Sequence, residues 1–357
     1  MHLPSDRIRS MARAVGGVLA GVLIYLAAEI AIFGSGWYGQ FLEPESLAGA
    51  VRMCLSEEAA RAASPLPVVA VIGNSMLAEG FSAKVANGEA AGRMRFVNLS
   101  VAGTTPRCWY YELRAADPYA NRYRAIVLQI ELFSDEDGDE PMADQISDLR
   151  MVDALLRPAD ALDFAFSFRR QRLRFDALRG ALLKGYVFKY DVQALLEHPA
   201  ARAEKTELFH GGHAGWVFDY TGHPESLAGL TVDWERRSMY VPPNVPANIA
   251  ARVRRVAFRQ RSPDTGLQTL YRRLWFGRIV DRYRGTHTRV IFTRVPRGPV
   301  VSPDSDPPDA RSTVSYLALP RDTFTPLERP ENFWDEYHMN ARGRELFSGR
   351  LAQEMAR

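Results

Sequence analysis

The sequence predicts an α/β protein with a doubly wound, mainly parallel sheet, preceded by one transmembrane helix. Short runs that are apolar on both faces recur along the chain, as expected of strands buried in a parallel sheet. Stretches with helical character separate these runs, and such alternation builds a parallel sheet covered by helices. With 357 residues, 46% of them hydrophobic, the chain can bury one large core or two modest ones.

The N-terminal segment predicts the membrane helix. Arg7, Arg9 and Arg13 precede an apolar run of about 20 residues, which is long enough to cross a bilayer core. Basic residues favour the cytoplasmic side of a membrane. Residues 1–13 are therefore expected to be a cytoplasmic tail and residues 14–34 an uncleaved anchor, with the rest of the chain outside.

The anchor contains one carboxylate, and two interpretations of it are open. Glu29 either contacts a partner helix, or lies near the outer interface, where its side chain reaches water. An Ala-rich helical linker is expected over residues 35–65, and the main domain over residues 66–357.

The main domain contains the strands and helices of the predicted sheet. The expected strands are Val68–Ile72, 96–101, 125–133, 289–295 and, with a poorer pattern, 314–319. The expected helices are Pro106–Ala116 with a proline in its first turn, an Arg-rich region 247–283 broken near "SPDTG", and 341–355 with Asn340 as N-cap.

Residues 135–245 interrupt the alternation, which predicts an insertion that serves as a lid or a substrate-facing subdomain. The acidic run "SDEDGDE" lacks the pattern of a Ca²⁺ loop and favours a solvated turn. No Cys or carboxylate stands at a ligand spacing from its histidines, so loop residues are favoured over metal ligands at His210, His213 and His223. Two interpretations of its aromatic residues are open: they stack on sugar rings, or they pack in the insertion's own small core. These residues are Trp216, Tyr220 and Trp234.

Charge and cysteine content exclude some classes of protein. The formal net charge of +3, from 45 basic and 42 acidic residues, provides no case for binding nucleic acid. The spacing of Cys54 and Cys108 does not match a metal site. Whether they form a disulfide in an oxidising compartment is left undecided by the sequence. No metal or other cofactor is predicted.

The chemistry is predicted at two distant places in the chain. The first expected strand ends abruptly at Gly73-Asn74-Ser75, and Asp335 stands three residues before His338, ahead of the last helix. A nucleophilic serine needs a base, and the base needs an orienting carboxylate. Reactive loops gather at the carboxyl edge of a parallel sheet, so these residues are expected to meet. The plain alternative is that Ser75 and Asp335 cap helices while His338 packs on Trp334.

These motifs resemble the SGNH (GDSL-type) hydrolase superfamily over residues 66–357, apart from the insertion. Gly73-Asn74-Ser75-Met76 is similar to the nucleophile block, with Asn74 where Asp is commoner; "VNLSVAGTT" is similar to the second block, and "DEYHMNARG" to the last. The resemblance implies a flavodoxin-like fold with Ser75 as nucleophile, His338 as base and Asp335 as its orienter. It also implies that the N–H groups of Ser75 and Gly103 bind the oxyanion.

One block departs from the family pattern. The third block usually supplies an Asn side chain to the oxyanion hole, but the matching strand reads "IVLQIELFSDED" and contains no Asn. Ser134 or Gln129 could replace it, or the hole could have two donors only.

The anchor narrows the resemblance to envelope proteins that work beside membrane-bound O-acyltransferases, such as the alginate O-acetylation proteins and the D-alanyl transfer protein of teichoic acid synthesis. That likeness implies acyl transfer to, or ester hydrolysis on, a cell-envelope glycan through an acyl-Ser75 intermediate, outside the cytoplasmic membrane. The alternative is a non-catalytic accessory that binds a glycan or docks on a membrane-bound O-acyltransferase.

Overall fold

A computed structural model describes residues 5–44, 46–60, 64–130, 146–168, 170–211, 222–258, 267–301, 317–320 and 322–357. The chain divides into two compact units. Met1–Arg52 and Ala143–Lys205 form one, called the anchor unit below, and Met53–Met142 and Thr206–Arg357 form the other, called the sheet unit. The predicted insertion is thus shared between the two units, and its function as a lid stays a prediction.

The secondary structure is mixed α/β. Within the described residues the α-helices are α1 Ser5–Glu29, α2 Leu47–Ala60, α3 Ser75–Gly80, α4 Ala83–Ala90, α5 Pro106–Ala116, α6 Ser147–Val152, α7 Ala161–Phe166, α8 Gln171–Leu182, α9 Lys184–Glu197, α10 Pro199–Gly211, α11 Ala247–Val256, α12 Leu267–Tyr283 and α13 Ala341–Ala356. The strands are β1 Val68–Ile72, β2 Arg95–Asn98, β3 Ala125–Ile130, β4 Thr231–Asp233, β5 Ser238–Tyr240, β6 Arg289–Arg294 and β7 Leu317–Ala318.

The sheet unit is built on a five-stranded sheet in the order β2-β1-β3-β6-β7, and every neighbouring pair is parallel. The strand β1 lies inside the sheet, since Val69 lies opposite Phe96 on one side and Ala125 on the other. All five residues of β1 are buried, which explains the uninterrupted apolar run. A short antiparallel hairpin, β4 with β5, stands apart from this sheet. The predicted α/β class with a mainly parallel sheet is confirmed.

The predicted element bounds are confirmed at β1 and α5, and the last helix begins as predicted, with Asn340 accepting a hydrogen bond from the Gly343 N–H at 2.9 Å. The predicted end of the second strand at Val101 is wrong, because the chain turns after β2. The side chain of Asn98 accepts from the Ser100 N–H at 3.0 Å and donates to the Phe81 carbonyl at 3.1 Å.

Three other predictions extend partly beyond the described residues. The strand β6 ends at Arg294, one residue before its predicted end. Positions 131–133 of the third predicted strand, 314–316 of the fifth and 259–266 of the Arg-rich helical region lie outside the described part of the chain.

Within the described residues, one helical segment, Ser10–Gly34 of the anchor unit, is long and apolar enough to cross a membrane. The helix α1 ends at Glu29 and continues as one π-helical turn, Ile30–Gly34. Glu29 is buried against its own chain, where its carboxylate accepts the N–H of Gly185 at 2.7 Å. Neither interpretation made from the sequence describes this bond, which fastens the end of the apolar helix to the first turn of α9.

A second buried polar group lies close by in the same unit. Asp153 is fully buried, and its carboxylate has no hydrogen-bond partner within the described residues. The Lys184 ammonium donates instead to the backbone carbonyls of Asp153, at 2.6 Å, and Leu156, at 2.8 Å. Burial raises the pKa of Asp153 to about 7, with Lys184 opposing the rise and Glu29 adding to it.

This buried carboxyl predicts an unusual dependence of stability on pH. Because the folded pKa of Asp153 exceeds that of an unfolded Asp, the native protein retains a proton that the unfolded chain releases between about pH 4 and pH 7. Stability therefore falls as the pH rises through this window, by on the order of 4 kcal/mol. Asp153→Asn, which keeps the shape and cannot ionise, should lose this decline in thermal unfolding of the detergent-solubilised chain. The exposed Asp163→Asn should retain it, and parallel curves for the wild type and Asp153→Asn would contradict the prediction.

Candidate active site

The nucleophile turn follows β1 directly. Asn74 is the N-cap of α3, and its side chain accepts from the Met76 N–H at 2.9 Å. Ser75 is the first residue of that helix. A β-carbon on Gly73 would lie 2.1 Å from the amide oxygen of Gln129 and 2.7 Å from a methyl group of Leu77. Only glycine fits there, and the tight packing holds Ser75 at the carboxyl end of β1.

The Asp-x-x-His segment is a compact turn before α13. The Trp334 N–H donates to the His338 carbonyl at 3.1 Å, which closes the turn. One carboxylate oxygen of Asp335 accepts the backbone N–H groups of Tyr337, at 2.8 Å, and His338, at 2.7 Å. Asp335 is completely buried, so its own loop supplies hydrogen bonds that offset the loss of water.

The fold brings Ser75 and His338 together although 263 positions separate them. The Nε2 atom of His338 lies 2.9 Å from Ser75 Oγ, and its Nδ1 atom lies 2.8 Å from the second carboxylate oxygen of Asp335. These contacts assign the tautomer: Nδ1–H donates to Asp335, and Nε2 accepts from the Ser75 hydroxyl. A serine so placed can lose its proton to the imidazole as it attacks an electrophile.

Asp335 and His338 each stabilise the charged form of the other. Burial is the largest influence on both, and by itself it raises the pKa of Asp335 and lowers that of His338. Their hydrogen bond and opposite charges outweigh burial, so the pKa of Asp335 lies below its ordinary value and that of His338 above it. Glu79 and Glu336 add to the rise at His338. An ionised carboxylate beside an imidazole that readily takes a proton is the result.

Arg252 also contacts this site, and the sequence analysis missed it. It lies on α11 and donates to the carboxylates of Asp335 and Glu336, both at 3.0 Å. Its guanidinium lies 5.9 Å from the ring centre of Trp334. The planar guanidinium fork thus spans two neighbouring carboxylates of the loop. Nothing distinguishes this arginine from its neighbours in "AARVRRVAFRQR".

A glycine was missed as well. A β-carbon on Gly298 would lie 1.7 Å from the backbone carbonyl oxygen of Glu336. The loop of Asp335 and His338 therefore rests on the bare backbone of Gly298. The sequence hint is a glycine in "VPRGPV", between prolines and just beyond β6, where a rigid turn that permits close approach is expected.

The loop of Gly103 is fastened to the nucleophile turn. The Gly73 carbonyl accepts from the Val101 N–H at 3.2 Å and from the Thr104 hydroxyl at 3.1 Å. The indole of Trp109 donates to Thr104 at 2.9 Å, so this buried residue supports the loop from behind. Gly103 has a φ of 78°, which glycine adopts without strain. Within the described part of the chain, the N–H groups of Ser75 and Gly103 donate to no protein acceptor.

Gln129 does not take the position of an oxyanion donor. Its buried amide accepts from the Asn74 N–H at 3.0 Å and donates to the Asn74 side chain at 3.3 Å. This side chain therefore holds the N-cap of α3 in place. The other residue considered for that role, Ser134, lies outside the described residues.

The remaining candidate residues take structural positions where they are described. His223 stacks on Trp334, with ring centres 3.8 Å apart, and Trp334 stacks on His338 at 6.0 Å. Trp234 packs edge-on against Phe258. Trp216, Tyr220 and the side chains of His210 and His213 lie outside the described part of the chain.

Metal and disulfide chemistry have no support among the described residues. No group of three or more His, Cys, Asp or Glu side chains there could hold a metal ion. Cys54 and Cys108 are both buried free thiols.

No protein-family model and no curated protein matches the chain significantly. The structure joins a serine hydroxyl, an imidazole and a carboxylate in one line of hydrogen bonds, an arrangement that can activate a serine as a nucleophile.

The packing of the loop on Gly298 can be tested directly. Gly298→Ala should push the backbone of Glu336 away and move His338 from Ser75. A displacement of about 1 Å can cost roughly a hundredfold in rate, so labelling of Ser75 by a fluorophosphonate should slow at least about tenfold. The matched control is Gly88→Ala, where a β-carbon meets nothing within 4 Å. Equal labelling rates in the two variants would show that Gly298 does not position the loop.

Proposed function

We propose that the chain is a membrane-anchored serine acyl-ester enzyme of the SGNH (GDSL-type) superfamily, which acts on a cell-envelope glycan through an acyl-Ser75 intermediate. The observation that carries the proposal is the line of hydrogen bonds from Asp335 through His338 to Ser75, at 2.8 and 2.9 Å. The plain alternative of helix caps and a packed histidine does not require a base to stand within hydrogen-bond distance of a serine hydroxyl.

The sheet order supports the finer fold assignment. Without the β4–β5 hairpin, the strands run second, first, third, fourth, fifth, which is the flavodoxin-like order. Crossovers between parallel strands are nearly always right-handed, and for this strand order the rule predicts helices on both faces, as in a doubly wound sheet. Ser75 follows the strand at which the order reverses, where ligands of open α/β sheets bind.

The proposed reaction begins with attack by Ser75. Its Oγ forms a bond to the acyl carbon of an ester while His338 Nε2 takes the hydroxyl proton. The carbonyl oxygen becomes negative, and the N–H groups of Ser75 and Gly103 are in this proposal its hydrogen-bond donors. Collapse of the tetrahedral species breaks the bond to the leaving alkoxide, which receives the proton from His338. A second hydroxyl, from a sugar or from water, then repeats these steps on the acyl-enzyme and releases Ser75.

Transfer or slow hydrolysis fits the donors better than fast hydrolysis. Gln129 is engaged by Asn74, which leaves two backbone donors for the oxyanion among the described residues. Loss of one oxyanion donor typically costs ~2.7–4 kcal/mol of transition-state stabilisation. A site with these two donors alone also favours the second candidate, a non-catalytic accessory of a membrane-bound O-acyltransferase, which a serine-directed probe would leave unlabelled.

The acylation step has a direct test. The full chain in detergent should release a burst of p-nitrophenol from p-nitrophenyl acetate, followed by slow turnover. Ser75→Ala should abolish the burst and leave the melting temperature nearly unchanged, because the hydroxyl is not buried in the core. Ser56→Ala, at an exposed serine of the same unit, is the matched control and should keep the burst. An equal burst from Ser75→Ala would remove the enzyme proposal.

The pH profile of acylation should report His338. The imidazole must be neutral to accept the Ser75 proton, and its pKa lies above the ordinary value, so the rate should fall on the acid side with an inflection above about 6.5. Asp335→Asn should lower both the rate and the inflection, because the imidazolium loses its charge partner. Arg252→Gln should shift the inflection upward, because a cation that opposes the imidazolium is gone. Shifts of the same sign in both variants would contradict this assignment.

The proposed location is the cytoplasmic membrane, crossed once by the apolar helix, with the sheet unit on the outer side. An envelope glycan would be the acyl acceptor, and a membrane-bound O-acyltransferase the partner that supplies the acyl group.

The topology should be visible in cells. The arginines before the apolar segment favour a cytoplasmic N-terminus. We expect the full-length chain in the membrane fraction, resistant to salt extraction, with the sheet unit cut by protease added to spheroplasts. A soluble product that begins near Trp37 would contradict the anchor.

A further inference from the structure

The apolar helix leaves the protein at a defined level. Side chains 10–28 are exposed, and Glu29 is the first described side chain of α1 that the protein buries. Counted from Ala14, after the last of the arginines, the apolar helix reaches Glu29 after about 22 Å and Gly34 after about 30 Å, the ~30 Å thickness of a bilayer core. The contact between Glu29 and Gly185 therefore lies within about 8 Å of the level at which the bilayer core would end.

The helix α9 is held firmly at this contact. A β-carbon on Gly185 would lie 2.6 Å from the Glu29 carboxylate and 2.9 Å from the ring of Phe33. Phe188, one turn further along, stacks on the same Phe33 ring with centres 6.1 Å apart. The first two turns of α9 are thus fastened to the chain that leaves the apolar helix.

Two groups of contacting rings and cations lie on this end of α9, on α8 and on α7. Together they are called the aromatic–basic belt here, and the belt consists of Phe166, Arg174, Phe175, Arg179, Tyr186, Lys189 and Tyr190. The cation of Arg179 lies 3.9 Å from the ring centre of Tyr186 and 6.0 Å from that of Phe175. Lys189 lies 4.5 Å from the ring centre of Tyr190, and Arg174 lies 5.6 Å from that of Phe166.

Three rings of the belt, Phe166, Phe175 and Tyr190, are exposed although they are apolar, and the other members are half-buried. Phe166 and Phe175 are each 65% exposed, and Leu182, two turns after Phe175 on the same face of α8, is 53% exposed. Leu162, one turn before Phe166 on α7, is also exposed. Residues 170–190 contain six basic side chains, of which Lys184 is buried, and one acidic side chain, Asp176, which pairs with Arg179 at 3.1 Å. Such a face, apolar and aromatic with cations among its rings, matches the boundary between lipid headgroups and acyl chains.

We propose that the aromatic–basic belt is a docking surface for the anionic headgroups of the bilayer that the apolar helix crosses. Its rings enter the headgroup region, and Arg174, Arg179 and Lys189 contact lipid phosphates. The occupant is lipid and not a second protein, because the α9 end of the belt is fastened to the end of the apolar helix by the contacts of Gly185 and Phe188. The inference rests on the helix spanning a membrane and is independent of the chemistry at Ser75.

Quenching by spin-labelled lipid tests the docking on the full chain. The native thiols Cys54 and Cys108 are buried, so Phe175→Cys can be labelled selectively with a fluorophore in the folded protein. The chain is placed in nanodiscs of phosphatidylcholine and phosphatidylglycerol that contain nitroxide headgroups. The emission at position 175 should fall at least about twofold relative to nanodiscs without nitroxide. Unquenched emission from an inserted chain would overturn the proposal.

Charge removal separates a specific contact from general attraction. Each cation near an anionic surface contributes about fivefold to partition, so Arg174→Gln with Arg179→Gln should weaken docking by up to roughly thirtyfold. The control pair, Arg254→Gln with Arg255→Gln, removes the same charge from exposed positions of α11 and should leave the quenching unchanged. High salt applied to the chain without charge substitutions should also relieve the quenching, which covers the case in which the double variant folds poorly.

Three further outcomes would overturn the proposal. The first is equal relief of quenching by both charge pairs. The second is crosslinking of position 175 to a second copy in nanodiscs without quenching, which would assign the belt to a protein partner. The third is a chain that does not insert into nanodiscs, because the belt would then have no lipid to bind. The burst at Ser75 could still be measured, so this outcome would leave the proposed enzyme activity untouched.

Discussion

The buried carboxylate of Asp335 is the group on which the candidate site depends. A charge taken out of water costs several kcal/mol unless hydrogen bonds and an opposite charge replace the solvent. Asp335 has both: two backbone N–H groups of its own loop, the imidazole of His338, and the guanidinium of Arg252. The same four contacts that make its burial tolerable also define the shape of the loop and the direction of the His338 ring.

Two glycines, Gly73 and Gly298, allow the close backbone packing that positions the turn of Ser75 and the loop of Asp335 and His338. Gly73 lets the amide of Gln129 approach the end of β1, and Gly298 lets the carbonyl of Glu336 rest on the chain beyond β6. In both cases a single methyl group would overlap a neighbouring atom. The short distance between Ser75 and His338 therefore depends on main-chain packing as much as on the polar side chains.

The anchor unit uses polar groups in a different way. Glu29 accepts an N–H of the first turn of α9, and Lys184 donates to the carbonyls of Asp153 and Leu156. These bonds satisfy polar groups at the end of an apolar helix, where an unpaired group is expensive. They also hold the aromatic–basic belt at a set distance from that helix. In our proposal, the contact between Glu29 and α9 sets the height of the belt relative to the bilayer. A flexible linker after the apolar helix could not do this.

The sequence by itself determined the class of fold, the apolar helix and the residue types of the site. Runs buried on both faces, as in β1, and capping residues such as Asn340 act over a few positions, and local patterns report them. The meeting of Asp335, His338 and Ser75 could be predicted because the loops that follow parallel strands lie at the same carboxyl edge of the sheet.

Only the tertiary structure decided which side chains complete the site. Gln129 was considered for the oxyanion hole. Its side chain instead binds Asn74, which follows the neighbouring strand β1, and the sequence of β3 does not show which neighbour that side chain will meet. Arg252 contacts Asp335 from a helix 83 positions away, among arginines that look alike in the sequence. Glu29 meets Gly185 across 156 positions. These contacts are set by packing between distant segments, and no local pattern of residues records which partner each side chain will find.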